Sequence, residues 1–215
     1  MTPLLCIVTD RHSLADPSTL AEFIARTCAA GIDWIQLREK DLSASELLAL
    51  VRGAVKAAAA RGNATRIIVN DRLDVALAGG AGGVHLGEAS LPIAEVAAWR
   101  RENAWAEVPP REFLIGASCH SVEAARAAEN NCADYVIFGP VFSTPGKEKF
   151  GAPQGINRLA EASKAVRIPV LAIGGITPER ARKCFAAGAA GIAAIRMFTG
   201  ERDLAALVGR LRAAR

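Results

Sequence analysis

VLAIGGITPERARKCFAAGAAGIAAIRMF, residues 170–198, reads strand, glycine turn, helix, glycine turn, strand. Val170–Gly174 is a short apolar run, the pattern of a strand buried on both faces. Gly174-Gly175 ends it and lets the backbone turn sharply while staying open to a ligand. Thr177, Pro178 and Glu179 read as a helix start: a hydroxyl cap, a ring suited to the first helical position, and an acid at the positive end of the helix dipole. Ala181 to Ala187 carries the helix and Gly188 stops it. Gly191–Phe198 is a second apolar run, read as a strand throughout. In an eight-stranded (β/α) barrel, the loops after strands 7 and 8 commonly grip phosphate. An ordinary βαβ unit, with glycines needed only for turning, accounts for this stretch equally well.

The same beat runs through the rest of the chain. Leu4–Asp10, Trp34–Glu39, Arg66–Asp71, Gly83–Glu88, Phe113–His120 and Tyr135–Val141 read as strands 1 to 6. Helical patterns fill the intervals at Ser18–Ala30, Leu42 to about Arg61, Asp74–Ala78, Pro92 to about Arg101, Val122–Asn130 and Ile156–Ala165, with a last one at Asp203–Arg212. Ser43 and Glu46 form a capping-box pattern at the start of the second. Two stretches break the rhythm: 103–111, with Trp105 and Pro109-Pro110, and 142–153, rich in Gly, Pro and Lys. Eight strands alternating with helices in 215 residues predict an α/β fold, a TIM barrel of (β/α)8 form, as one domain over 1–215. The competitor is a doubly wound open sheet, ranked lower because no GxGxxG follows strand 1.

Composition sets the limits. At 51% hydrophobic and 22% charged residues, the chain can build a sizeable core, and few aromatics leave that core to Ala, Val, Ile and Leu. A net charge of +4, spread along the chain, favours small anions slightly and makes no case for nucleic acid. The five cysteines form no CxxC pair, which argues against a zinc ribbon or a thioredoxin motif and for reduced, buried thiols. No basic region with a long apolar core precedes the strand-like LLCIVTD, and no stretch reaches membrane-span length. A soluble cytoplasmic protein is expected, with no membrane partner; a homo-oligomer is left open.

In a barrel, chemistry sits where strands run into the following loops. Gln36, Arg38 and Lys40 alternate at the end of strand 2 and so share one side of the extended chain. Strand 3 ends in Asn70 and Asp71; strand 4 carries His85, Glu88 and Ser90; strand 5 ends in Ser118 and His120. The loop after strand 6 adds Ser143, Thr144, Lys147 and Lys149. Together these suit a highly anionic substrate: Arg38 can fork onto phosphate oxygens, lysines act as point charges, and Asp71 can hold Mg²⁺. Each has a plainer reading. Arg38 can pair with Glu39 or Asp41 on the rim, Asp71 can cap a helix, His85 can be a packed core histidine, His120 can simply sit near the rim, and the loop lysines can be solvated.

Six segments then point to one family: QLREKD (36–41), VNDRLDVAL (69–77), GVHLGE (83–88), GASCHS (116–121), DYVIFGPVFSTPGK (134–147) and AIGGITPER (172–180). Over nearly its whole length the chain resembles the thiamine-phosphate synthase and thiazole tautomerase family. The resemblance implies a (β/α)8 barrel acting on small phosphorylated substrates with Mg²⁺ as cofactor. For the synthase it implies condensation of hydroxymethylpyrimidine diphosphate with hydroxyethylthiazole phosphate. By position, Gln36, Arg38, Lys40 and Asn70 would contact the pyrimidine diphosphate, Asp71 would bind Mg²⁺, and Ser118 and Lys147 would contact the pyrophosphate. Thr144, Gly174, Gly175 and the amides near Ile195 and Arg196 would grip the thiazole side. Three positions depart from the synthase pattern. Ser90 replaces an acidic metal ligand, for which Glu88 is a candidate substitute; Gly146 stands where Ser or Thr is common; Arg196 stands where Ser is common. The tautomerase branch would instead use His120 as acid and base. A third reading is a non-catalytic, regulatory binder of thiazole phosphate. The retained diphosphate-binding set favours the synthase.

Overall fold

A computed structural model describes residues 2–16, 19–60, 65–103, 112–143 and 152–214. Its strands are β1 (Leu4–Val8), β2 (Trp34–Leu37), β3 (Arg66–Asn70), β4 (Gly83–Leu86), β5 (Leu114–Cys119), β6 (Tyr135–Phe138), β7 (Val170–Ala172) and β8 (Gly191–Ala194). Each pairs in parallel with the next, and β8 pairs with β1 through Leu4 opposite Gly191, closing the barrel. The helices are α1 (Leu20–Ala29), α2 (Ala44–Ala59), α3 (Leu73–Ala78), α4 (Ile93–Glu102), α5 (Val122–Asn130), α6 (Gly155–Ala165), α7 (Pro178–Ala186), α8 (Arg196–Thr199) and α9 (Leu204–Arg212). The (β/α)8 alternation expected from the sequence is therefore the observed fold.

Period-two alternation builds two concentric layers. In β1, Leu5 and Ile7 join the outer layer between strands and helices, with Phe23, Ile24 and Leu207. Cys6 and Val8 join the inner cluster with Ile68, Tyr135, Ile137, Leu171 and Ala193. Each fully buried Leu or Ile contributes roughly 1.5–3 kcal/mol by leaving water, so most of the driving force lies in the outer layer. The inner cluster is smaller and leaves the mouth to polar groups.

Helix starts follow the expected chemistry. Ser43 and Glu46 make both bonds of the capping box on α2, and Thr177 caps α7 by accepting from the Arg180 N–H, with Pro178 in the first turn. The eighth strand is shorter than its apolar run implied. It stops at Ala194; Ile195 adopts a helical conformation (φ −104°, ψ −74°), and 196–199 form a turn of helix. An apolar run reads the same on a strand and on a buried helical turn; here the turn carries Phe198 into the outer layer.

All five cysteines are free thiols, four of them buried. Burial pushes Cys6, Cys119 and Cys184 up to about 12. Cys132 is exposed and follows the end of α5 with φ +68°. No helix among the described residues is long and apolar enough to cross a membrane.

Candidate active site

The mouth at the C-terminal ends of the strands holds two adjoining cavities, of about 340 and 270 Å³. They share Ile173, Gly174 and Ile195 as a common wall. Gln36, Arg38 and Lys40 all line the first, as their alternation implied, although only Gln36 lies within a strand.

Arg38 is half-buried, and its backbone N–H donates to Thr9 Oγ1 at 3.0 Å. Its guanidinium has no partner among the described residues. The rim ion pair considered for it belongs to Arg11, which holds Asp41 bidentately at 2.8 and 2.7 Å and lies 3.6 Å from Glu39. The hydrogen bond from His12, with help from Arg11, holds Asp41 below the usual carboxylate range. With those acids taken, Arg38 is a half-buried charge facing an open cavity. Gln36 is 3% exposed and donates through Nε2 to Asn70 Oδ1 at 3.0 Å. Its Oε1 is buried without a partner among the described residues, an acceptor that a ligand N–H would satisfy.

Asp71 does not cap α3; Arg72 occupies that position, with no side-chain cap. Asp71 instead sits at φ +68°, a left-handed conformation that costs a residue with a Cβ roughly 1–2 kcal/mol. Its N–H donates to the His85 carbonyl at 2.8 Å, and its exposed carboxylate lines the first cavity with no hydrogen-bond partner among the described residues. Glu88 and Ser90, which follow the neighbouring strand β4, line the same cavity. Ser90 Oγ accepts from the Gly87 N–H at 2.8 Å and so closes the turn that carries Glu88. No group of three or more His, Cys, Asp or Glu gathers among the described residues. The donors present still suit Mg²⁺, which is commonly held by one or two carboxylates completed by phosphate oxygens.

Ser118 reaches the first cavity from β5, and its hydroxyl lies 2.9 Å from His85 Nε2. His85 is a buried residue of β4, and desolvation, aided by the Arg38 charge, pushes its pKa down to about 3. It is neutral at ordinary pH. His120 lines the same cavity and donates from Nδ1 to the Gly139 carbonyl, which leaves Nε2 without a partner among the described residues.

The second cavity is built on the turn after β7. Gly174 (φ +97°) and Gly175 (φ +61°) both take left-handed conformations. A Cβ on Gly174 would fall 2.6 Å from Pro140 Cβ, and one on Gly175 would fall 2.7 Å from the Ser143 carbonyl oxygen. Only glycines let this turn pack so closely against the loop after β6. Their N–H groups have no hydrogen-bond partner among the described residues. The first amides of α8 lack a side-chain cap, and Arg196 there is exposed and lines the cavity. Thr144, Lys147 and Lys149 lie outside the described residues.

Sequence reasoning passed over Arg180. It donates to the Gly175 carbonyl at 2.7 Å and stacks 4.8 Å above the Phe142 ring, tying the glycine turn to the neighbouring loop. The available signal was its place in the first turn after a glycine pair, where a long cation can reach back over the turn.

Cations, carboxylates and glycine amides without hydrogen-bond partners among the described residues meet at the mouth of a closed parallel barrel of the TIM class, a place where such folds commonly bind phosphate. Residues 5–198 match the family model for thiamine monophosphate synthase, and the chain belongs to that family. It is 42% identical over 199 residues to a putative thiamine-phosphate synthase of Geobacter sulfurreducens, covering 93% of this chain and 88% of that one. It is 41% identical over 208 residues to the thiamine-phosphate synthase of Methanoculleus marisnigri, covering 97% and 93%. A thiamine phosphate pyrophosphorylase from Pyrococcus furiosus superposes with a TM-score of 0.81 at 31% identity, over 98% of this chain and 94% of that one.

Proposed function

We propose that the protein is a thiamine-phosphate synthase, joining hydroxymethylpyrimidine diphosphate to hydroxyethylthiazole phosphate with release of pyrophosphate. The observation that carries this reading is the pair of cavities with a shared wall. Two substrates that must react with each other need adjoining sites; a single-substrate proton transfer needs one.

In the first cavity, Arg38 and Lys40 bind the diphosphate, with Ser118 at the departing end; the family resemblance assigns Lys147 to the same pyrophosphate. Gln36 and Asn70 orient the pyrimidine, with the free Gln36 Oε1 accepting from a ring amino group. Asp71 and Glu88 would hold Mg²⁺, with Ser90 shaping the turn. When bound, that ion would neutralise diphosphate charge. As the bond to pyrophosphate breaks, charge builds on the departing oxygens, and Arg38 and Lys40 are already in place to offset it without reorganisation. The pyrimidine cation left behind is captured by the thiazole ring nitrogen. The second cavity holds the thiazole phosphate through the Gly174 and Gly175 amides and the Ile195 and Arg196 amides, and the family resemblance assigns Thr144 to the same substrate. The free thiols favour a reducing compartment, and we place the reaction in the cytoplasm.

A coupled assay with both substrates and Mg²⁺ tests this. Metal-dependent appearance of thiamine phosphate and pyrophosphate together is expected. No product from folded protein would sink the proposal. Proton exchange on the thiazole carboxylate phosphate, lost in His120→Asn, would then identify a tautomerase; binding of thiazole phosphate without either reaction would identify a regulatory binder.

A further inference from the structure

Behind Ser118 the barrel interior holds two polar side chains with no part in the reaction as described so far. His85 is 2% exposed and Tyr135 1%. Tyr135 Oη lies 3.1 Å from His85 Nδ1, and Ser118 Oγ lies 2.9 Å from His85 Nε2. Both ring nitrogens are therefore engaged, one toward the barrel interior and one toward the first cavity. Gly116 makes the room: a Cβ there would fall 2.1 Å from Tyr135 Cζ. On the other side the Trp34 ring packs with its centroid 4.6 Å from that of Tyr135.

The direction of the bonds follows from where the protons can go. Tyr135 has one O–H, and its only hydrogen-bond partner among the described residues is His85. A buried O–H with a single acceptor in reach donates to it, because leaving it unmade is costly. Nδ1 is then bare, and a neutral ring carries its proton on Nε2. Nε2–H donates to Ser118 Oγ, so the Ser118 proton turns away from the histidine toward the cavity. The reverse arrangement has Nδ1–H donate to the tyrosine oxygen and strands the tyrosine O–H in the interior.

We infer that Tyr135 and His85 are positioning residues that make Ser118 a hydrogen-bond donor toward a phosphate oxygen in the first cavity. The inference rests on the proposed reading of that cavity as the diphosphate site. A phosphate oxygen only accepts, so a serine held in the opposite sense would face it with lone pairs.

Two measurements test it. With ¹⁵N-imidazole histidine, the His85 signals are those lost in His85→Gln. Wild-type protein should show Nε2 protonated and Nδ1 bare, and Tyr135→Phe should move both toward a mixture of tautomers. A wild-type ring protonated on Nδ1 would overturn the inference. Calorimetry with magnesium pyrophosphate supplies the second readout. Ser118→Ala and Tyr135→Phe should each weaken binding about tenfold, and the double variant should bind no more weakly than Ser118→Ala alone. Additive losses would overturn the inference, since Tyr135 would then act through packing and not through Ser118. No pyrophosphate binding by wild type would overturn the diphosphate reading, and the tautomer spectrum would still show whether the hydrogen-bond order stands.

Discussion

At the scale of single residues, Arg38 and His85 show what a side chain gains from its neighbours. Arg38 is available because Arg11 has taken the nearby acids. Arg38→Ala should lower synthase turnover on the order of 10²-fold and leave thiazole-phosphate binding within about twofold of wild type. Equal loss of both, measured by kinetics and calorimetry, would mean that Arg38 supports the fold or the other substrate. His85 makes stability depend on pH. Unfolded, its ordinary value is 6.5; folded, it falls to about 3. Between those values the unfolded chain binds a proton that the native chain refuses, so stability is complete above about 6.5 and declines as pH falls toward 3. The slope is about 1.4 kcal/mol per pH unit from this group. Urea midpoints across that window should show a shallower slope in His85→Gln than in wild type; parallel slopes would refute the assignment. The Arg38 and Asp71 positions were legible from alternation and strand ends. Which acids pair with which base was not, because Arg11 lies on a different strand end, and sequence spacing says nothing of contacts across the barrel.

At the scale of elements, two substitutions separate holding a helix from shaping a site. Ser43→Ala removes one half of the capping box on α2 at a residue that lines neither cavity, and should cost about 1 kcal/mol with turnover unchanged. Gly175→Ala forces a Cβ into a left-handed turn against the Ser143 carbonyl. It should cost on the order of 1–3 kcal/mol and also weaken thiazole-phosphate binding. Denaturant midpoints and calorimetry together distinguish the two, and a Gly175→Ala protein with wild-type affinity would contradict the role given to that turn. The capping box and the glycine turn were readable because both rest on local rules. The end of β8 was not, because an unbroken apolar run carries no sign of the residue at which extended backbone becomes helical.

At the scale of the whole molecule, the mouth draws lining residues from all eight strands, directly or just past their ends. A ligand there bridges strands from around the barrel, so its binding should report on global unfolding. Magnesium pyrophosphate at 100 times its dissociation constant should stabilise the protein by about 2.7 kcal/mol. That corresponds to a rise in Tm of roughly 5–10 °C for a chain of this size. Scanning calorimetry with and without it makes the check, and an unchanged Tm at saturation would show that the mouth opens independently of the barrel. The barrel itself was legible because eight repeats of one local pattern admit few closures, whereas the shared wall between the cavities depends on packing that no single repeat contains.

The exposed Cys132 has a practical consequence. It follows α5 on the approach to β6, at the end of the barrel away from the mouth, while the other four thiols are buried. A thiol-reactive dye should therefore label the native protein once, and a tether attached there would leave the substrate entrance facing outward. Full reaction of the remaining thiols would require the barrel to open, so the pace of their labelling would time its unfolding.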